Sequence, residues 1–348
     1  AAVEVAGDDD VAGVPAGPDA RQQFFVGPAH AHDVVEHQRL WLRARGERFL
    51  EEVSAEYHAA HAGLREGAAL QPIYEKHRDA YGDDALRLAR DLYRGHPEGS
   101  ETFRSARLLL DWLVESRAGR ELAPLEEREI AWERAAIITL PDGTQEPYQR
   151  AAITLGNTRE ARERHVLDDA RAALVERELA PIRRERLQKE HEVVDALGIA
   201  PTYNASFEAL SGVSLKTVRA DCEAFLRDTQ AMWDEIFPAF LKRGLGIKPS
   251  EATRADVLAL MRAPEFDEFF PAEAMERDVR RQMTEMGISP DAEGRVRYDT
   301  GEREGKRSRA FCAPVRIPDT VHLVLRPHGG RNDWTTLMHE LGYALHFA

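Results

Sequence analysis

Residues 321–325 read VHLVL, and a little further on residues 334–346 read WTTLMHELGYALH. The first run is a cluster of β-formers and the second has helical period. At about 100° per residue, Trp334, Leu337, Leu341 and Leu345 fall on one stripe of a helix, a face expected to be buried. His339, Gly342, Tyr343 and His346 fall on nearly the opposite stripe, which reads as the lining of a cleft. Gly342 costs such a helix about 1 kcal/mol against alanine, so the close approach of another group is expected there. Asn332 or Asp333, after the glycine pair Gly329-Gly330, is the expected N-cap.

Outward from this helix, the segments 295–298, 310–312 and 321–325 are rich in β-formers. They are separated by Gly301, Gly305, Pro314, Pro318-Asp319 and Pro327, which predicts a short antiparallel sheet or set of hairpins. Upstream the pattern is helical almost throughout. Helices are expected from about His32, carrying Val34, Leu40, Trp41, Phe49, Val53 and Tyr57, and over 83–94, 101–118, 121–137, 158–197, 203–211, 214–243, 253–262 and 271–287. The turn LPDGT at 140–144 is read as a possible hairpin tip, and Pro181 is a possible kink in the longest helix. The fold class is therefore mainly α, helical lobes with a small antiparallel sheet just before the last helix. Residues 1–28 read as a mobile leader, 29–200 as an N-terminal helical region, and 201–348 as the start of the region that carries the chemistry.

The chain has 348 residues, enough for a large core. Its formal net charge of −14 argues against nucleic acid and anionic lipid as partners. No stretch approaches the roughly 20 apolar residues that span a bilayer. The two cysteines, Cys222 and Cys312, are in no metal-binding spacing and suit a reducing compartment, and the N-terminus lacks the features of a signal peptide. A cytoplasmic location is expected.

A zinc peptidase helix carries His-Glu-x-x-His. Two imidazoles one turn apart hold a metal, and the glutamate acts as general base on the bound water. Here His339 and Glu340 fill the first two positions, but Tyr343 stands at the second ligand position. His346 lies roughly 10 Å further along the helix axis than His339, too far to share one ion.

The run GKRSRAFCAP at 305–314, then the strand, then HELGYALH at 339–346, resembles the thimet oligopeptidase and oligoendopeptidase F family of zinc metallopeptidases. That resemblance implies a zinc cofactor and short peptides as substrates, hydrolysed by metal-activated water. Residues map one by one: His339 to the first zinc ligand, Tyr343 to the position where the family has its second histidine, and Glu340 to the catalytic base. The strand edge near Val321, Leu323 and Leu325 is where a peptide is expected to pair. The family's third ligand is a glutamate on a later helix, beyond Ala348, so a further C-terminal segment is an expected partner. As it stands, the chain is expected to be inactive.

A rival reading is a non-catalytic helical protein that binds peptides or a partner on the same fold. Tyr343 is then a half-buried aromatic beside Gly342. His30, His32, His37, His58 and His61 lack supporting acids at ligand spacing and are read as solvent-facing. The basic run around Arg183, Arg184 and Arg186, interleaved with glutamates, reads as a solvated helix face.

Overall fold

The structure, a computed structural model, describes residues 33–348, with side chains from residue 43 onward. The leader read for 1–28, His30 and His32 lie outside the described residues, as do the side chains of Val34, His37, Leu40 and Trp41.

Helices dominate. The chain runs through α1 (Asp33–His61), α2 (Leu70–Lys76), α3 (Asp83–Gly95) and α4 (Glu101–Ala135), then a hairpin of β1 (Ile137–Thr139) and β2 (Gln145–Pro147). There follow α5 (Tyr148–Asn157), α6 (Ala161–Leu174), α7 (Ala180–Leu197), α8 (Tyr203–Ser211), α9 (Leu215–Gly244), α10 (Arg254–Arg262) and α11 (Ala272–Glu285). A three-stranded sheet, β3 (Val296–Asp299), β4 (Phe311–Arg316) and β5 (Thr320–Val324), precedes α12 (Arg331–Phe347).

Two expected helices, 101–118 and 121–137, are one. Gly119 does not end α4, because it is there for contact: a Cβ at this position would lie 2.3 Å from the Tyr74 hydroxyl. Pro124 sits inside the same helix. The lost backbone bond, about 3 kcal/mol in an isolated helix, is offset by burial of its neighbours Leu122, Ala123 and Leu125. Around Tyr74 the N-terminal core gathers Phe49, Tyr81 and Trp112, with Phe49 ring centroids 5.1 Å from Tyr74 and 5.3 Å from Tyr81. In the 158–197 run, a π-helical turn over Val175–Leu179 joins α6 to α7 immediately before Pro181. The Ala180 N–H reaches back to the Val175 carbonyl, which absorbs the irregularity that the proline imposes.

In the C-terminal sheet β5 is the middle strand, in the order β3-β5-β4. It pairs antiparallel with β4, as expected of a hairpin, and parallel with β3. The chain leaves β3, crosses through residues 300–310 and returns on the far side, so the central place is left for β5. Alternation then divides the β5 side chains. Val321, Leu323 and Leu325 face α11 and α12, in a core with Met275, Leu337 and Leu341. Val324 faces the other way, against Phe311, Ala313 and Ala62, just past the end of α1.

The loop between β3 and β4 ties this sheet to α1. Lys306 is only 1% exposed. Its Nζ donates to the Asp299 carbonyl (2.8 Å), Asp299 Oδ1 (3.0 Å), the Gly301 carbonyl (2.8 Å) and the Leu325 carbonyl (2.9 Å). Arg303 pairs with Asp299 and donates to the Ala62 carbonyl. The Arg307 N–H donates to the His61 carbonyl at 2.8 Å. These are carbonyls that a helix end leaves without intrahelical partners. Gly63, at φ +72°, would bring a Cβ within 2.5 Å of the Lys306 backbone nitrogen, so only glycine fits this junction.

Lys306→Met is expected to strip Asp299 of a partner and leave three carbonyls short of a donor. A loss of about 3–5 kcal/mol should appear in denaturant unfolding.

Candidate functional site

Helix α12 starts before both of the expected caps, Asn332 and Asp333. Its N-cap is Gly330, at φ +86°, and Asp333 works instead in the first turn. There its Oδ2 accepts from the backbone N–H groups of His328 and Gly329, holding the glycine loop against the positive end of the helix.

Of the expected stripe, Leu337 and Leu341 are buried against the sheet and α11 while Trp334 and Leu345 are half-buried, and the buried face turns instead toward Ala344 and Phe347. His339, Gly342, Tyr343 and His346 are exposed, with the His339 and Tyr343 rings edge-to-face at 4.9 Å. Among the described residues nothing approaches Gly342: a Cβ there would meet no atom within 4 Å. The close approach expected at this glycine is not made, and the face is an open surface rather than a lined cleft.

Glu340, about 100° round the helix from His339, is 4% exposed. Its carboxylate accepts from the backbone N–H of Cys312 on β4, while Oε2 is buried without a partner. Burial raises its pKa above the ordinary carboxylate value, against the opposing pull of His339, the Cys312 N–H and Arg309. The Cys312 thiol is pushed up as well, by burial first and then by Glu340. Glu340 therefore sits on the outer edge of β4, and α12 covers that edge.

The strand-edge site expected at Val321, Leu323 and Leu325 is not formed. Strand β5 has both of its edges paired, because β3 and β4 flank it. The three side chains are between 0% and 3% exposed and belong to the core beneath α12. A run of apolar β-formers marks a strand but cannot say which strand is central.

Two of the histidines read as solvent-facing are not. His58 is buried and stacks on His322 of β5 at 3.9 Å between centroids, in the seam between α1 and the sheet. Burial holds its imidazole down at about 4, with His322 and Arg303 adding to the effect and Asp299 opposing it. Burial, then Arg307, holds His61 down at about 3. Nothing in the local sequence separates these histidines from exposed ones, since what buries them is a strand more than 250 positions away. Also unseen from sequence is a buried knot between α6 and α10. Arg164 is fully buried and donates to Asp256 Oδ1, while His165 Nε2 lies 2.6 Å from Oδ2. Asp256 also completes the capping box of α10, so its oxygens are engaged in joining helices.

A zinc ion takes three or four donors at about 2 Å. Among the described residues, no three histidine, cysteine, aspartate or glutamate side chains stand close enough to hold a metal. His339 faces outward, Glu340 is turned under β4, and a phenol occupies position 343. Among the described residues the donor set does not fit zinc. Among the described residues no helix is long and apolar enough to cross a membrane. The chain matches no known protein family, no curated protein and no solved structure.

Gly342→Ala is expected to stabilise the fold by up to about 1 kcal/mol, since the new methyl meets no obstacle and glycine is the poorer helix former; a lower melting temperature would show that something does approach this face. Glu340 has a folded-state pKa above its unfolded value, so its contribution is fully present below the unfolded pKa and is lost as pH rises through the folded one. Glu340→Gln should accordingly raise the melting temperature at neutral pH and leave it nearly unchanged near pH 4, in thermal melts across that range.

Proposed function

We propose that the chain carries the scaffold of a zinc-dependent oligopeptidase, a hydrolase of short peptides, and that in this chain the hydrolytic centre is disabled at Tyr343. What supports this reading is a juxtaposition. The strand on which the GKRSRAFCAP motif ends lies directly against the helix that carries His339 and Glu340, and the two are joined through the Cys312 N–H and the Glu340 carboxylate. The resemblance stated above rests on those same two motifs. His339 is the first-ligand position, Tyr343 the replaced second, and Glu340 the base position. A zinc-bound protein of this class would take its third ligand from a segment outside these residues. The location that goes with this reading is the cytoplasm.

A second reading is a non-catalytic protein that binds peptides or a partner. It is favoured by one observation, the large apolar surface left open on α9.

The test compares the chain with Tyr343→His, which sets a second imidazole one turn from His339 on the exposed face. Zinc content, zinc-dependent melting temperature and cleavage of a quenched fluorescent peptide are measured for both. The native chain is expected to bind a labelled short peptide without cutting it and to carry no stoichiometric zinc. The variant should gain about 2–3 kcal/mol of stability in zinc at a hundredfold excess over its Kd. Zinc bound with peptide cleavage by the native chain would overturn the assignment of Tyr343 as a disabling residue. Failure of the native chain to bind any short peptide would remove the oligopeptidase reading altogether.

A further inference from the structure

Helix α9 is 30 residues long, yet among its side chains only Leu241, near its C-terminal end, is buried. A helix left alone in water is marginal, and helices in folded proteins draw most of their stability from covering an apolar face. Such a face exists on α9. Val218, Phe225, Leu226, Met232, Trp233 and Phe240 are between 45% and 66% exposed. At about 100° per residue they occupy one half of the helix, while Arg227, Asp234, Glu235 and Lys242 occupy the other.

These six positions are symmetric about Thr229, while the exposed Leu215 and Ile236 have Arg243 and Cys222 as their mirror positions. Val218 and Phe240 stand 11 residues to either side of it, Phe225 and Trp233 four, Leu226 and Met232 three. A second α9, antiparallel and related by a two-fold axis through Thr229, would set the members of each pair against one another, the self-complementary pattern that such an axis requires. Thr229 leaves no unsatisfied hydroxyl at the axis, because Oγ1 already donates to the Phe225 carbonyl at 2.7 Å. The six side chains offer on the order of 700 Å² per copy, against roughly 800 Å² from each side of a stable interface. That exceeds the largest apolar patch of an ordinary monomer. We propose that α9 is a dimerisation helix, and that its occupant is α9 of a second copy of this chain, packed antiparallel about Thr229.

The test joins mass measurement with a crosslink. Light scattering or sedimentation of the full chain at micromolar concentration should give twice the monomer mass. Oxidised Thr229→Cys should run as a covalent dimer on a non-reducing gel, since facing positions at the axis come within disulfide reach. The native chain should not, because the axis would keep its two copies of Cys222 about 20 Å apart along the helix. Phe225→Glu with Trp233→Glu should weaken association on the order of 100-fold or more, with circular dichroism reporting that the helices persist. A chain that is monomeric at these concentrations overturns the proposal. So does a dimer that Thr229→Cys fails to crosslink, a dimer that the double variant leaves intact, or an assembly larger than two.

Discussion

The buried ammonium of Lys306 is the constraint on which the C-terminal half depends. A lone charge cannot be left in such a place, and it is tolerated because Asp299 and three carbonyls surround it. In meeting that demand the lysine fixes the end of β3, the loop at Gly301 and the residue just past β5 to one point. Arg303 and the Arg307 N–H then carry the same loop onto the end of α1. The sheet is therefore anchored at once to itself and to the N-terminal helices. Asp299 is held below the usual carboxylate range: burial opposes this, but its bonds to Arg303 and Lys306 outweigh it.

With the sheet fixed, the rotation of α12 follows. Its leucines must lie over Val321, Leu323 and Leu325, and a helix has one rotation that allows this. Consecutive residues are about 100° apart, so His339 and Glu340 cannot both face the same way. The imidazole goes to the surface and the carboxylate goes under β4, where the Cys312 N–H receives it. The result separates two residues that the motif places together. It also explains why Gly342 meets nothing: the side of the helix that carries it is the one the core does not use.

Much of the architecture was legible in the sequence. The long helices, the hairpin tip at 140–144, the three strands and the apolar stripe of α12 are local patterns, and the structure has them. The break expected between 118 and 121 is absent from α4, because Gly119 serves the contact with Tyr74 rather than ending the helix. Lys306 stood inside a motif that the sequence singled out, yet nothing in its neighbours distinguished a buried cation from an exposed one. The stacking of His58 on His322 was likewise invisible, since it joins residues far apart in the chain.

What the sequence determined by itself is the period of each segment, and with it the mainly helical class and the apolar stripe beneath α12. The tertiary structure alone decided which strand is central, which histidines are dry, where the Glu340 carboxylate points and which helix face stays open. The physical reason is that period is a property of neighbours along the chain. Burial and pairing depend on which distant segment arrives beside a residue, and that is settled only when the whole chain has packed.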